Sequence, residues 1–220
     1  MKAMEMELIR PGYEILTPID GLKELQDIER AARTCYRSES AITSDGKSAK
    51  KMVKMLIERG HEAMLEHSFL SVKFTCDRGV THELVRHRLC SFAQESTRYC
   101  NYAGGKAGKR MRFILPCFFM DGKEREAELE LWTRACAKAA NDYAELLSMG
   151  ATPQEARTVL PNSVAAEIVM SGNYREWRHI LKLRTARDAH PQMREIMCPL
   201  GIELQRRIPV IFDDCVTALR

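Results

Sequence analysis

Residues 68–99 read SFLSVKFTCDRGVTHELVRHRLCSFAQESTRY, and three kinds of local code follow one another within them. From Ser68 to Cys76 the chain alternates for most of its length. Leu70, Val72, Phe74 and Cys76 take one face and Ser71, Lys73 and Thr75 the other, the period of a half-buried strand. Asp77 is placed to cap a helix running from about Gly79 through Arg86, with Val80, Leu84 and His87 in helical register. The basic triplet Arg86-His87-Arg88 follows, and after it come Ser91, Ser96, Thr97, Arg98 and Tyr99.

Working outward, Glu5 to Ile9 reads as a strand closed by the turn signal Arg10-Pro11-Gly12, and Tyr13 to Leu16 can pair with it or continue it. Leu22 to Thr34 and Lys47 to Glu58 are amphipathic helices. Asp20 or Gly21 opens the first, and Gly60 closes the second. Downstream, Asn101 to Lys109 is a glycine-rich loop. Met111 to Phe119 is β-prone and interrupted by Pro116, and Asp121-Gly122 is a turn. Glu124 to Leu147 is the longest helical stretch, ended at Ser148-Met149-Gly150. Thr152-Pro153-Gln154-Glu155 is a strong helix start, and that helix ends near Leu160-Pro161. Ser163 to Met170 is a strand, or a helix if tertiary packing so decides. Arg175 to Leu183 and Pro191 to Leu200 are helices, and the tail from Ile208 to Leu219 packs. Strands mixed with many helices, without a regular βαβ succession, predict an α+β or mixed α/β fold. The chain reads as one domain over residues 1–220.

Composition narrows the classes. With 45% hydrophobic and 29% charged residues the chain is ordinary for a soluble globular protein, which excludes disorder over most of its length. The formal charge of +4 fits an anionic ligand and does not demand nucleic acid. Lys106, Lys109, Arg110 and Arg112 form the densest basic cluster, read first as a solvated loop. None of the eight cysteines forms a C-x-x-C or zinc-ribbon spacing. No apolar run approaches a membrane span, and the first eighteen residues lack an uninterrupted apolar core. The expectation is a reducing cytoplasm.

Two basic groups can carry chemistry. One is Arg86-His87-Arg88 with the Ser96–Tyr99 segment; the other is Arg157, Arg175, Arg178, Arg184 and Arg187. Converging arginines give forked donors for phosphate oxygens, and the amides and hydroxyls of Ser96 and Thr97 can complete such a nest. The competing reading is a solvated basic face with pairs such as Glu83 and His87 at i,i+4. A glycine-rich dinucleotide fingerprint, a P-loop and a nucleophile elbow are all missing. His61, Glu62, Glu66 and His67 do not have the H-E-x-x-H spacing, so no metal is expected.

At Arg86 a resemblance becomes specific. Arg86-His87-Arg88, seven residues, then Ser96-Thr97-Arg98-Tyr99 is similar to the signature of the flavin-dependent thymidylate synthases. Gly60-His61-Glu62 with Glu66-His67, Glu155 to Pro161, Asn173 to Trp177 and Leu181 to Arg184 resemble further blocks of that family, in order. The resemblance runs from about Ala31 to Ile196. It implies a mixed α/β fold of the family's own, not a Rossmann fold, in a homotetramer with active sites at subunit interfaces. It implies binding of FAD, NADPH, 5,10-methylene-tetrahydrofolate and dUMP, formation of dTMP, and no membrane or nucleic-acid partner. A nucleic-acid-binding module using Arg86 to Arg112, with Tyr99 and Tyr102 for stacking, is the alternative.

Residue by residue, Arg86, His87 and Arg88 resemble the family's flavin-binding trio. His61 resembles its histidine on the flavin and folate side, with a catalytic or positioning role, and Glu66 the acid near the flavin. Asn173 and Arg175 resemble flavin contacts; His179 stands where an Asn often binds the flavin. Glu83 falls where many members carry Gln facing the nucleotide, and Gln94 where some carry Glu. Ser96, Thr97 and Arg98 resemble the loop around the dUMP phosphate, and Arg157 a second phosphate or sugar contact. Arg184 resembles the arginine at the pyrimidine carbonyl, the catalytic group. The family implies no protein nucleophile, in keeping with a Ser96 that has no evident base.

Overall fold

The computed structural model describes residues 4–104, 110–120 and 125–216. The expected loop at 105–109 and turn at Asp121-Gly122, with Glu124 and residues 217–219, lie outside them. The fold is mixed α/β, and the chain divides into two compact units built from interleaved segments. Unit 1 is Met1–Gly12, Phe74–Arg86 and Ala93–Ile168; unit 2 is Tyr13–Lys73, His87–Phe92 and Val169–Arg220.

In unit 1, β1 (Glu5–Ile9) lies parallel to β5 (Arg110–Ile114), with Glu5 opposite Arg110 and Ile9 opposite Ile114. Helix α4 (Glu126–Ser148) buries Cys136, Ala140 and Tyr143, the one-face spacing of an amphipathic helix. These residues pack with Tyr102, Met111, Phe113, Ala156 and Val164. The start at Thr152 is a capping box, as its sequence predicts. The helix it opens, α5, is short (Pro153–Ala156) and passes into a 3₁₀ turn at Arg157–Val159. β5 ends at Ile114, and Pro116 opens a 3₁₀ turn instead of extending the strand. α3 (Arg78–Leu84) is capped by Asp77, whose Oδ1 accepts the Val80 amide at 2.7 Å. It stops two residues before Arg86, so the i,i+4 helical spacing of Glu83 and His87 is not realised.

In unit 2, Asp20 settles the open choice of cap. Its carboxylate accepts from Leu22 and Lys23, and α1 (Gly21–Thr34) follows with Leu25, Ile28, Glu29, Ala32 and Arg33 buried as one stripe. α2 has the predicted bounds, Lys47–Glu58. Gly60 follows at φ +69°, which lets the Gly60 and His61 amides turn back onto Ile57 and Leu56. α7 (Pro191–Arg207) continues past Leu200 and through Pro199. In the tail Ile208, Ile211, Phe212, Cys215 and Val216 are buried.

A four-stranded sheet has the order β2 (Gly12–Ile15), β3 (Phe69–Asp77), β6 (Ala165–Asn173), β4 (Ser91–Gln94). β3 buries Leu70, Val72, Phe74 and Cys76, the face read from its alternation. The Ser163–Met170 ambiguity resolves as strand β6. The short β4 was not anticipated, because Ser91–Gln94 offers no alternation long enough to read.

Candidate functional site

Helix α6 (Tyr174–Arg184) organises the cationic part of unit 2. Asn173 caps it by accepting the Glu176 amide at 2.9 Å. Tyr174, Trp177, Ile180 and Leu181 are buried, and the Trp177 indole donates to the Leu70 carbonyl at 3.0 Å. Gly172, just upstream, is required by closeness: a Cβ there would stand 2.8 Å from Cys90 Sγ. Burial, and then the Glu176 charge, push the Cys90 thiol up to about 12, so it stays protonated at neutral pH.

His87 is the buried centre of this group. Arg184 Nε donates to His87 Nε2 at 3.0 Å, and Glu176 Oε1 lies 3.5 Å from His87 Nδ1. His87 is 5% exposed and Glu176 7%. Burial first, then Arg184 and His179, pull the His87 pKa down to about 4, so the ring is neutral at neutral pH. The His179 ring stands edge-on to it, with centroids 6.1 Å apart. One potential ligand atom from each of His87, Glu176 and His179 falls within a 4.8 Å cluster, but the Arg184 donor already occupies His87 Nε2. His61 and His67 are exposed.

Arg178 has a different position from its neighbours in sequence. Its guanidinium is buried, pairs with Glu62 at 3.1 Å and Asp214 at 2.7 Å, and also donates to the Ile211 carbonyl. Burial opposes ionisation of Asp214, yet hydrogen bonds from Arg178 and Lys182 hold its carboxyl well below the usual range. Arg178 therefore ties α6 to the tail and to the turn at Glu62–His67. Sequence reasoning grouped it with ligand-facing arginines and missed its partners, as it missed Glu176.

A cavity of about 740 Å³ opens along α6, lined by Glu62, Glu66, Leu89, Asn173, Arg175, Glu176, Arg178, His179 and Lys182. It brings together four of the expected cofactor residues: Glu66, Asn173, Arg175 and His179. Arg175 Nη1 donates to Glu66 Oε1 at 2.5 Å. His61 and Arg88 are exposed and are not among the lining residues. The Asn173 oxygen is committed to the cap, which leaves its amide nitrogen as a donor. Donors from Asn173 and His179, beside an exposed Leu89, suit a polar group joined to a ring system, as in FAD, while Arg175 and Lys182 are already paired with Glu66 and Asp214.

Unit 1 assembles the other expected set. Arg98 N donates to Ser96 Oγ at 3.3 Å, and the Tyr99 and Cys100 amides return to the Ser96 carbonyl. Among the described residues the Ser96 and Thr97 amides have no acceptor, as a phosphate nest requires. Arg157 Nη1 reaches Thr97 Oγ1 at 3.1 Å across sixty residues of sequence. Gln94 Nε2 donates to Thr81 Oγ1 at 2.9 Å, which ties β4 to α3; Glu83 is half-buried on that helix. Arg86, on the unit 1 side, and Arg88, in unit 2, are exposed; among the described residues neither guanidinium has an ion-pair partner. Arg110 instead pairs with Glu5 and Glu7, and Arg112 with Glu167, so the basic patch of the nucleic-acid reading is engaged within the protein. Lys106 and Lys109 lie outside the described residues.

The class is thus a mixed α/β protein that lacks the Rossmann phosphate loop, with exposed arginines beside amides that have no acceptor among the described residues. Comparison with known proteins specifies it. Residues 19–210 match the family model described as thymidylate synthase complementing protein. A flavin-dependent thymidylate synthase of Mycobacterium sp. (strain JLS) is 34% identical over 85% of this chain and 78% of its own. That of Mycolicibacterium gilvum is 34% identical over 95% and 86%. The crystal structure of a UMP/dUMP methylase, PolB from Streptomyces cacaoi, bound with 5-Br dUMP superposes with a TM-score of 0.76 at 25% identity. It covers 94% of this chain and 95% of that one. The chain belongs to the thymidylate synthase complementing protein family, and with that family it is an enzyme, a flavin-dependent thymidylate synthase. No helix among the described residues is long and apolar enough to cross a membrane.

Proposed function

We propose that this enzyme methylates dUMP reductively to dTMP, taking the carbon from 5,10-methylene-tetrahydrofolate and electrons from NADPH by way of FAD, and releasing tetrahydrofolate. The observation that carries the reading is the Arg157–Thr97 contact. It joins two distant segments that family resemblance assigns, independently, to dUMP: one to its phosphate, the other to a second phosphate or sugar contact. When bound, reduced FAD supplies the hydride. Arg98, Arg157 and the Ser96 and Thr97 amides hold the phosphate; Glu83 and Gln94 face the nucleotide. Glu66, Asn173, Arg175 and His179, with Arg86 and Arg88, hold the flavin, backed by the buried His87, and His61 orients flavin and folate. Arg184 stabilises negative charge on the pyrimidine oxygens as carbon 5 attacks the methylene carrier. A protein nucleophile is not called for. The Cys90 thiol is pushed up to about 12, and among the described residues no carboxylate or histidine is hydrogen-bonded to Ser96 Oγ.

The enzyme works in the cytoplasm as a homotetramer whose active sites are completed by more than one chain. Eight cysteines, none of them in a disulfide, support the first assignment. Exposure of Leu89 (77%) and Tyr99 (76%), both beside site residues, supports the second. The test is an anaerobic absorbance spectrum of the FAD-loaded protein. NADPH bleaches the flavin, and reoxidation with formation of dTMP occurs only when dUMP and methylene-tetrahydrofolate are both added. A protein that takes up no flavin, or that reoxidises without dUMP, overturns the reading.

A further inference from the structure

Arg184 comes with a buried support that family resemblance does not supply. Arginine has only donors, so the 3.0 Å contact of Arg184 Nε with His87 Nε2 fixes that nitrogen as an acceptor. The proton of the neutral ring is then on Nδ1. That edge faces Glu176 Oε1 at 3.5 Å, and a carboxylate there favours the Nδ1–H form. Both supporting side chains are more than nine-tenths buried, so water does not stand in for either. Each is fixed at its backbone: the Glu176 amide donates to the Asn173 cap, and the His87 carbonyl accepts the Cys90 amide at 3.0 Å. Because Nε, Cζ and both Nη atoms of arginine are coplanar, committing Nε sets the plane in which the fork lies.

We infer that Glu176 and His87 are positioning residues: Glu176 selects the His87 tautomer, and His87 holds the Arg184 guanidinium in its working plane. This rests on the reading of Arg184 as the group that polarises the pyrimidine. The same contacts exclude two other uses of the cluster. A protonated His87 would oppose a donor with a donor. A cation bound at Nδ1 would move the ring proton to Nε2, against Arg184.

Two measurements test the inference. In nitrogen-15 imidazole spectra of the histidine-labelled holoenzyme at neutral pH, the His87 resonance, assigned by its loss in His87→Gln, shows the Nδ1–H neutral form. An Nε2–H or cationic ring overturns the proposal, and this reading does not depend on turnover. In kinetics at saturating FAD, Glu176→Ala lowers kcat by roughly ten- to a hundred-fold. Glu176→Gln, whose carbonyl still accepts from Nδ1–H, restores most of it, and Glu176→Ala adds nothing in an Arg184→Ala background. Wild-type kcat in Glu176→Ala beside an inactive Arg184→Ala defeats the positioning role alone. Wild-type turnover in Arg184→Ala defeats the catalytic reading of Arg184, and the positioning role with it.

Discussion

Arg178 in unit 2 and Arg157 in unit 1 carry the same guanidinium to opposite ends. Arg178 is 2% exposed and surrounded by Glu62, Asp214 and the Ile211 carbonyl. Arg157 is exposed, held by one hydroxyl, and among the described residues has no ion-pair partner. A buried cation must find its counter-charges inside the protein; an exposed one without them is available to a ligand. Arg184 stands between the two. It is half-buried and donates through Nε to a neutral histidine.

The largest effect expected from this contrast is on stability. Arg178→Ala leaves Glu62 and Asp214 without their common cation and lowers the unfolding free energy by about 3–5 kcal/mol. Arg178→Lys is also destabilised, because one ammonium cannot span both carboxylates and the carbonyl. Urea melts check this; a loss below about 1 kcal/mol would show that the tail is held by its apolar residues alone.

Next in size is an acid effect, again in unit 2. Folding depresses the His87 pKa from 6.5 to about 4. Between those values the unfolded chain binds more protons than the folded one. The contribution is therefore complete above pH 6.5 and is lost as pH falls toward 4. It amounts to about 2–3 kcal/mol, allowing for partial screening at the cavity. His87→Gln, which keeps an acceptor for Arg184 but does not titrate, flattens the dependence in that window. A variant whose slope matches wild type would assign the loss to other groups. Asp214, whose carboxyl is also depressed, keeps its contribution in full above its ordinary 3.8 and loses it only as pH falls below that value.

Unit 1 reverses the pattern. Arg157→Ala and Arg98→Ala leave the urea midpoint unchanged and raise the KM for dUMP by about ten- to a hundred-fold. That corresponds to loss of one charge-assisted hydrogen bond of roughly 1.5–3 kcal/mol. Unchanged KM in both would place the phosphate elsewhere.

What was legible in the sequence divides along the same line. The bounds of α2, the cap at Asp77 and the buried face of β3 depend on neighbours within a few residues, and local periodicity exposes them. Burial of His87 was signalled by its register with Val80 and Leu84, though α3 itself ends before reaching it. Glu62 and Asp214 could not be read, because their partner Arg178 lies 116 and 36 residues away and nothing local marks the pairing. Glu176 was hidden differently: an acid in the first turn of a helix is ordinary, and its burial comes from what packs over it. For the candidate site, spacing alone left ligand-binding and solvated arginines equally open, and only family resemblance separated them.

Arg110 gives the smallest effect and the sharpest control. It belongs to the densest basic cluster of the sequence, yet it already faces Glu5 at 2.6 Å and Glu7 at 3.5 Å across the β1–β5 pair. All three side chains are well exposed, and such pairs contribute little because water screens them. Arg110→Ala should therefore move neither the urea midpoint nor, beyond about two-fold, the KM for dUMP. If exposure alone made an arginine a ligand contact, Arg110→Ala would behave like Arg157→Ala. If a counter-charge in place is what withdraws it, the two variants separate by an order of magnitude in KM. Raising the salt tests the same distinction: it weakens dUMP binding in wild type and in Arg110→Ala alike, and less in Arg157→Ala, which has lost one charged contact.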